Sequence, residues 1–137
     1  MSSSMVMLPL LAQALLTLGL YPLLLKRKKA ARAAGLVDEQ RAPLDEAAWP
    51  DPVRQVNNCI NNQFASPVLF YVLVLALHQL GAANGFTLLV GCAYVASRYV
   101  HAWVHVGSNY VPHRRNCFAL GIALLLLLAG QLGVTLL

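Results

Sequence analysis

The stretch "MVMLPLLAQALLTLGLYPLLL", Met5 to Leu25, runs for 21 residues without a charge and meets Lys26, Arg27, Lys28 and Lys29 directly. At a helical rise of 1.5 Å per residue it is about 30 Å long, the thickness of a bilayer's hydrocarbon core. A second uncharged run of 21 residues, "CFALGIALLLLLAGQLGVTLL", covers Cys117 to Leu137. Two such runs in 137 residues leave little chain for a water-soluble core. The composition agrees: 11% of residues are charged, against roughly 25% in soluble domains. The apolar residues are therefore expected to face lipid. A cleaved signal peptide needs positive charge before its apolar stretch. Here the charge follows, so the first run reads as an uncleaved helix.

Four helices are expected, over about residues 5–25, 53–80, 85–107 and 114–137, with a charged loop at 26–52. The fold class is an all-α membrane protein, a four-transmembrane-helix bundle forming a single domain over 1–137. The positive-inside rule puts Lys26–Lys29 in the cytoplasm. The turn "HQLGAANG" lacks Lys and Arg, which suits the outside, and Arg114 and Arg115 suit the inside. All four helices then agree on an N-out/C-out topology. The bilayer is expected to be a bacterial inner (cell) membrane. The loop holds all five acidic residues and ends in Pro50 and Pro52. Pro52 suits the first turn of the next helix, with Asp51 at or near its N-cap.

The net charge of +5 does not imply nucleic acid, because five of the ten basic residues sit in "KRKKAAR" beside an apolar run. That is the pattern of a membrane anchor. Cys59, Cys92 and Cys117 show no paired spacing. Each is expected to be a small buried hydrophobe.

Polar chemistry collects on two helices. At 100° per residue, Tyr94, Arg98, His101, His105 and Asn109 fall within about 80° if the helix persists that far, with Trp103 opposite. An ionised side chain facing lipid costs about 2.5–3.5 kcal/mol or more, so this stripe should face the bundle interior or a wet cavity. On the second segment, Arg54, Asn57, Asn58, Asn61, Asn62 and Ala65 fall within about 140°, with Gln63 on the far side. Amides in lipid need partners and join helices. With Arg114 and Arg115, both stripes lie at the cytoplasmic ends of their helices. No acidic residue belongs to either stripe, so the balancing anion is expected from outside the bundle, as a carboxylate ligand or a lipid phosphate. His101 and His105, spaced i, i+4, lack a third ligand type nearby, and no metal is expected.

The stretches "RQVNNCINNQFASPVLFYVL" and "RYVHAWVHVGSNYVPHRRNCF" resemble the MAPEG family, the membrane-associated proteins in eicosanoid and glutathione metabolism. The resemblance implies a four-helix subunit, a homotrimer, and glutathione held near the cytoplasmic side between helices of adjacent subunits. Arg98, His101 and His105 match the family's Arg-x-x-His/Tyr-x-x-x-Tyr pattern. Arg114 matches the arginine placed to stabilise the glutathione thiolate, and is the catalytic residue the resemblance implies. Asn58, Asn62, Arg98, His101, His105 and Arg115 are the implied glutathione-binding residues. Three positions depart from the family. Ala65 stands where a glutamate holds the glutathione amine, Phe118 where a tyrosine assists, and Asn58 where the second helix carries an arginine.

Two functions follow. One is a glutathione-dependent transferase or peroxidase acting on lipophilic electrophiles at the cytoplasmic face. The alternative is a non-catalytic membrane protein of the same fold that binds lipid or another anion. A proton relay through His101 and His105 finds few polar residues to continue it outward, only His78 and Gln79.

Overall fold

A computed structural model of the chain describes residues 3–137, and they are helical throughout apart from turns and one loop. Five α-helices follow in order: α1 (Met7–Ala33), α2 (Asp51–Gln63), α3 (Ser66–Gln79), α4 (Gly85–Val106) and α5 (Val111–Leu136). Three stretches are long and apolar enough to cross a membrane: Ser4–Ala33, Asp51–Gln79 and Val111–Leu136. The helix α4 has 22 residues. Its buried face carries Thr87, Ser97, Arg98, His101 and His105, which dilute its apolar character.

The first helix outlasts the expected span and continues to Ala33, so Lys26–Arg32 are helical and the loop is confined to about 34–50. Lys, Arg and Ala are strong helix formers and keep the helix going beyond the apolar run. Gly35 ends it. Its φ of 66° is left-handed, and the N–H groups of Gly35 and Leu36 donate to the carbonyls of Arg32 and Ala31. This is a Schellman closure that a side chain at position 35 would strain. The loop then folds on itself. The Trp49 ring lies under two cations, with Lys28 Nζ at 4.6 Å and the Arg32 guanidinium at 5.1 Å. Arg32 also pairs with Glu39, and Arg41 with Asp45. The Ala47 N–H, together with Arg41, holds the Asp45 carboxyl below the usual carboxylate range.

The single second segment expected over 53–80 is two helices. The chain breaks at Phe64 and Ala65, where Ala65 has φ −99° and ψ −108°. Pro67 has no N–H for the Gln63 carbonyl, which removes the bond that would carry one helix into the next. Pro50 occupies the cap position of α2, and Asp51 sits inside the first turn rather than at the cap. There it pairs with Arg54 and suits the positive end of the helix. The fifth helix starts at Val111, ahead of Arg114, with Pro112 in its first turn.

The apolar core forms where α1, α3, α4 and α5 meet. Phe70 stacks on Tyr94 with ring centroids 4.6 Å apart, among Val74, Leu77, Val90, Leu125 and Leu128. Gly91 lets α4 approach α1, since a Cβ there would already touch Pro9 Cγ at 3.4 Å. A smaller cluster joins Leu20, Val56, Cys59, Ile60 and Ala102 toward the loop end. Cys59 is buried as expected, whereas Cys92 is exposed and Cys117 half-buried. Cys92 falls on the outward side of α4, so it adds nothing to the core.

Several polar groups inside the bundle are matched across helices. Gln13 donates to Gln63 at 2.9 Å, both fully buried, and Gln63 donates to the Cys59 carbonyl at 3.1 Å. Near the opposite end, Gln131 reaches Thr87 and the Ala82 carbonyl. Arg27 closes the loop end, donating to the Pro52 carbonyl at 2.7 Å and the Val106 carbonyl at 2.6 Å. One guanidinium thus ties the end of α1 to the start of α2 and the end of α4.

Replacing Arg27 by Ala removes two charge-assisted hydrogen bonds, each worth about 1.5–3 kcal/mol. We expect a clear loss of stability in thermal unfolding of the detergent-solubilised protein. Arg27→Lys should recover only part of it, because a single ammonium lacks the planar fork. An unchanged midpoint for Arg27→Ala would show that the staple does not hold the helices.

Candidate functional site

The inward face of α4 carries Arg98, His101 and His105, at positions i, i+3 and i+7 of one helix. All three are buried, and Trp103 on the opposite face is 81% exposed. The stripe therefore faces the bundle interior, as the cost of charge in lipid requires.

Arg98 is the most deeply placed charge, 0% exposed. Its Nε, Nη1 and Nη2 are buried, and none makes a hydrogen bond among the described residues. Cys59 of α2 and Cys117 of α5 lie within electrostatic reach, so the guanidinium sits among α2, α4 and α5. Buried polar groups are almost always hydrogen-bonded. An unpaired buried charge costs about 3–5 kcal/mol. Its five donors find no acceptor among the described residues.

The imidazoles continue the line. His101 and His105 meet edge to face at 5.6 Å between centroids, and His101 also lies 6.4 Å from the Phe118 ring. His101 Nδ1 is buried and without a hydrogen bond among the described residues. His105 Nδ1 lies 3.4 Å from the Asn62 amide of α2. On α5, Arg114 sits one turn before Phe118, on the side turned toward α4. Its charge reaches both imidazoles. Arg114 Nη1 donates to Asn109 Oδ1 at 2.6 Å. Asn109 has φ 52°, a left-handed conformation that asparagine tolerates. The turn that reverses the chain thus also fixes Arg114.

The asparagine stripe of α2 largely faces outward. The buried side of that helix is Val53, Val56, Cys59, Ile60 and Gln63. Asn58 and Asn61 are exposed, and of the four asparagines only Asn62 contacts the histidine line. Arg54 and Asn57 are engaged by Asp51 and Glu46. Hydrophobic burial decides the rotation of a helix, and α2 turns its apolar residues inward. Asn58 lies instead in a polar surface groove of about 260 Å³ with Asp51, Arg54, Gln55 and Asn109. Arg115 is exposed on α5.

The structure therefore brings Arg98, His101, His105 and Asn62 together with Arg114 close by, and leaves Asn58 and Arg115 outside that cluster. Two features escaped the sequence reading. The Gln13–Gln63 pair was signalled only by a lone amide within an uncharged apolar run. The Arg27 staple was hidden within the basic cluster. Among the described residues, no group of three or more His, Cys, Asp or Glu side chains is placed to hold a metal.

Comparison with family models matches residues 6–134 of the 137-residue chain to the MAPEG family. Neither the curated proteins nor the solved structures compared with the chain gave a match. The family match takes in almost the full length, and long apolar helices suited to a bilayer accompany it: the chain belongs to the MAPEG family, a family of membrane proteins.

Proposed function

We propose that the chain is a glutathione-dependent transferase or peroxidase acting on lipophilic electrophiles at the cytoplasmic face of a bacterial inner membrane. It spans the bilayer four times, N-out and C-out, and works as a homotrimer. The observation that carries the reading is the Arg98 guanidinium, fully buried and with no acceptor among the described residues. A chain keeps such a charge where an anionic partner answers it.

The donor set suits a tripeptide with two carboxylates. Arg98 offers a planar fork for bidentate pairing with one carboxylate. His101 Nδ1, likewise without a partner in the described chain, supplies a further polar contact. Asn62 holds His105 in orientation through their 3.4 Å contact. Glutathione supplies a nucleophilic thiolate when bound. Arg114 favours the ionised form of a thiol beside it through its positive charge, and Asn109 keeps that guanidinium in place. On this reading Asn58 and Arg115, both exposed, add further contacts to the bound tripeptide. Lipophilic substrate arrives through the bilayer and the tripeptide from the cytosol, and the loop end of the bundle is where both can be present.

A second reading is favoured by Ala65. It lies in the α2–α3 break with no side chain able to hold an amine. On that reading the protein is non-catalytic, and Arg98 answers a lipid phosphate or another anion.

Calorimetric titration of glutathione into the detergent-purified protein separates the two. The enzyme reading expects saturable binding that Arg98→Ala weakens about tenfold or more, the loss of one charged hydrogen bond. Absence of binding at millimolar glutathione overturns it and leaves the second reading. A model electrophile tests Arg114 separately. Arg114→Ala should lower turnover by about 10²-fold and move the rising limb of the rate–pH profile to higher pH, because the thiol then ionises less readily. Unchanged turnover and pH profile would remove Arg114 from the chemistry.

A further inference from the structure

Cys117 is a half-buried free thiol on α5. The buried residues of that helix are Gly121, Leu125 and Leu128. A Cβ at Gly121 would meet the Tyr94 ring at 3.5 Å and Ser97 Oγ at 3.6 Å, so this side of α5 faces α4. Cys117 precedes Gly121 by four residues, which puts it on the same side of the helix, one turn nearer the loop end. The two helices run antiparallel, since Thr87 at the start of α4 meets Gln131 near the end of α5. One turn back along α5 therefore matches one turn forward along α4. From Ser97 that step leads to Arg98 and His101. Cys117 stands level with the two residues of α4 whose buried polar atoms find no partner among the described residues.

The surroundings set Cys117 apart from the other two cysteines. The Arg98 guanidinium is 0% exposed, and its charge reaches Cys117. Arg114 lies one turn before Cys117 on α5, held by Asn109. Reactive cysteines sit in electropositive, partly exposed surroundings, and fully buried ones are inert. Cys59 is also within reach of Arg98, but it is 0% exposed. Cys92 is exposed, but it lies on the outward side of α4 with Leu89 and Ala96. Only Cys117 combines access with the cations. Its neighbour Phe118 is 40% exposed, so a molecule dissolved in the bilayer can come to Cys117 along α5.

We propose that Cys117 is a peroxide-reactive thiol, oxidised by organic hydroperoxides carried in the bilayer, with Arg98 answering the charge that develops. The sulfur attacks the terminal peroxide oxygen. An S–O bond forms as the O–O bond breaks, and an electron pair passes from sulfur to the peroxide. The hydroperoxide leaves as the alcohol, taking the thiol proton, and cysteine sulfenic acid remains. Negative charge gathers on the departing oxygen, and the unanswered donors of Arg98 are the group placed to accept it. The step uses no glutathione.

Trapping of the sulfenic acid tests this. The full-length protein in lipid nanodiscs is treated with cumene hydroperoxide, which is uncharged and enters the bilayer, in the presence of dimedone. Adducts are mapped and timed by peptide mass spectrometry. The Cys117 adduct should form ahead of the Cys92 adduct, although Cys92 is the more exposed thiol. Arg98→Met should slow the Cys117 adduct about tenfold or more and leave Cys92 unchanged. Should that variant fail to fold, Arg98→Gln keeps polar contacts, removes the charge and should act in the same direction. Absence of a Cys117 adduct, or Cys92 reacting as fast, would overturn the site. A Cys117 rate indifferent to the loss of the Arg98 charge would overturn the role of the guanidinium. No glutathione is present, so this proposal and the proposed function stand or fall separately.

Discussion

A bilayer offers no hydrogen bonds, so the polar groups on membrane helices must be answered by the protein or by what it binds. That constraint organises this bundle from end to end. Gln131 answers Thr87 and the Ala82 carbonyl at one end. Gln13 answers Gln63 at the helix break. Arg27 answers two backbone carbonyls at the loop end. Against this background, the unanswered guanidinium of Arg98 and Nδ1 of His101 stand out, one turn apart on one helix face, while Gln13 Oε1 and His78 Nδ1 are the other buried side-chain atoms without a partner among the described residues.

Much of this was legible in the sequence. The uncharged runs after Met5 and from Cys117 gave the outer helices, because length and absence of charge are local properties. The α4 stripe was equally legible from Tyr94 to His105, since residues on one straight helix keep their angular relation, but α4 ends at Val106 and Asn109 belongs to the turn beyond it. The α2 stripe was read as one face, without a direction. Angle tells which residues share a face, not which face turns inward. Burial of Val53, Val56, Cys59 and Ile60 settled that. The break at Ala65 was missed although Pro67 was visible, because the apolar pattern continues across it. The Gln13–Gln63 bond joins residues fifty positions apart, and no local periodicity records it.

The end of the bundle that carries the loop is the better-ordered half in chemical terms. Trp49 under Lys28 and Arg32, the Glu39 and Asp45 ion pairs, and the Arg27 staple fix the start of α2 and the end of α4. The exposed ion pairs contribute little stability singly. Their role is positional: with the Arg27 staple they hold the start of α2 against the last turn of α4, which carries His105. The left-handed Asn109 extends the same logic, since one residue both turns the chain and orients the second arginine.

The central claim is that Arg98 is retained for an anionic partner and not for the fold. Thermal unfolding of the wild-type protein and of Arg98→Met, each with and without glutathione, tests it most directly. Methionine approximates the volume without the charge. If the claim holds, Arg98→Met without ligand unfolds at or above the wild-type midpoint, because an unpaired buried charge has been removed. Glutathione then raises the wild-type midpoint alone, since only that protein retains its site. A variant that unfolds well below wild type without ligand, with glutathione shifting neither protein, would contradict the claim and make Arg98 a structural residue.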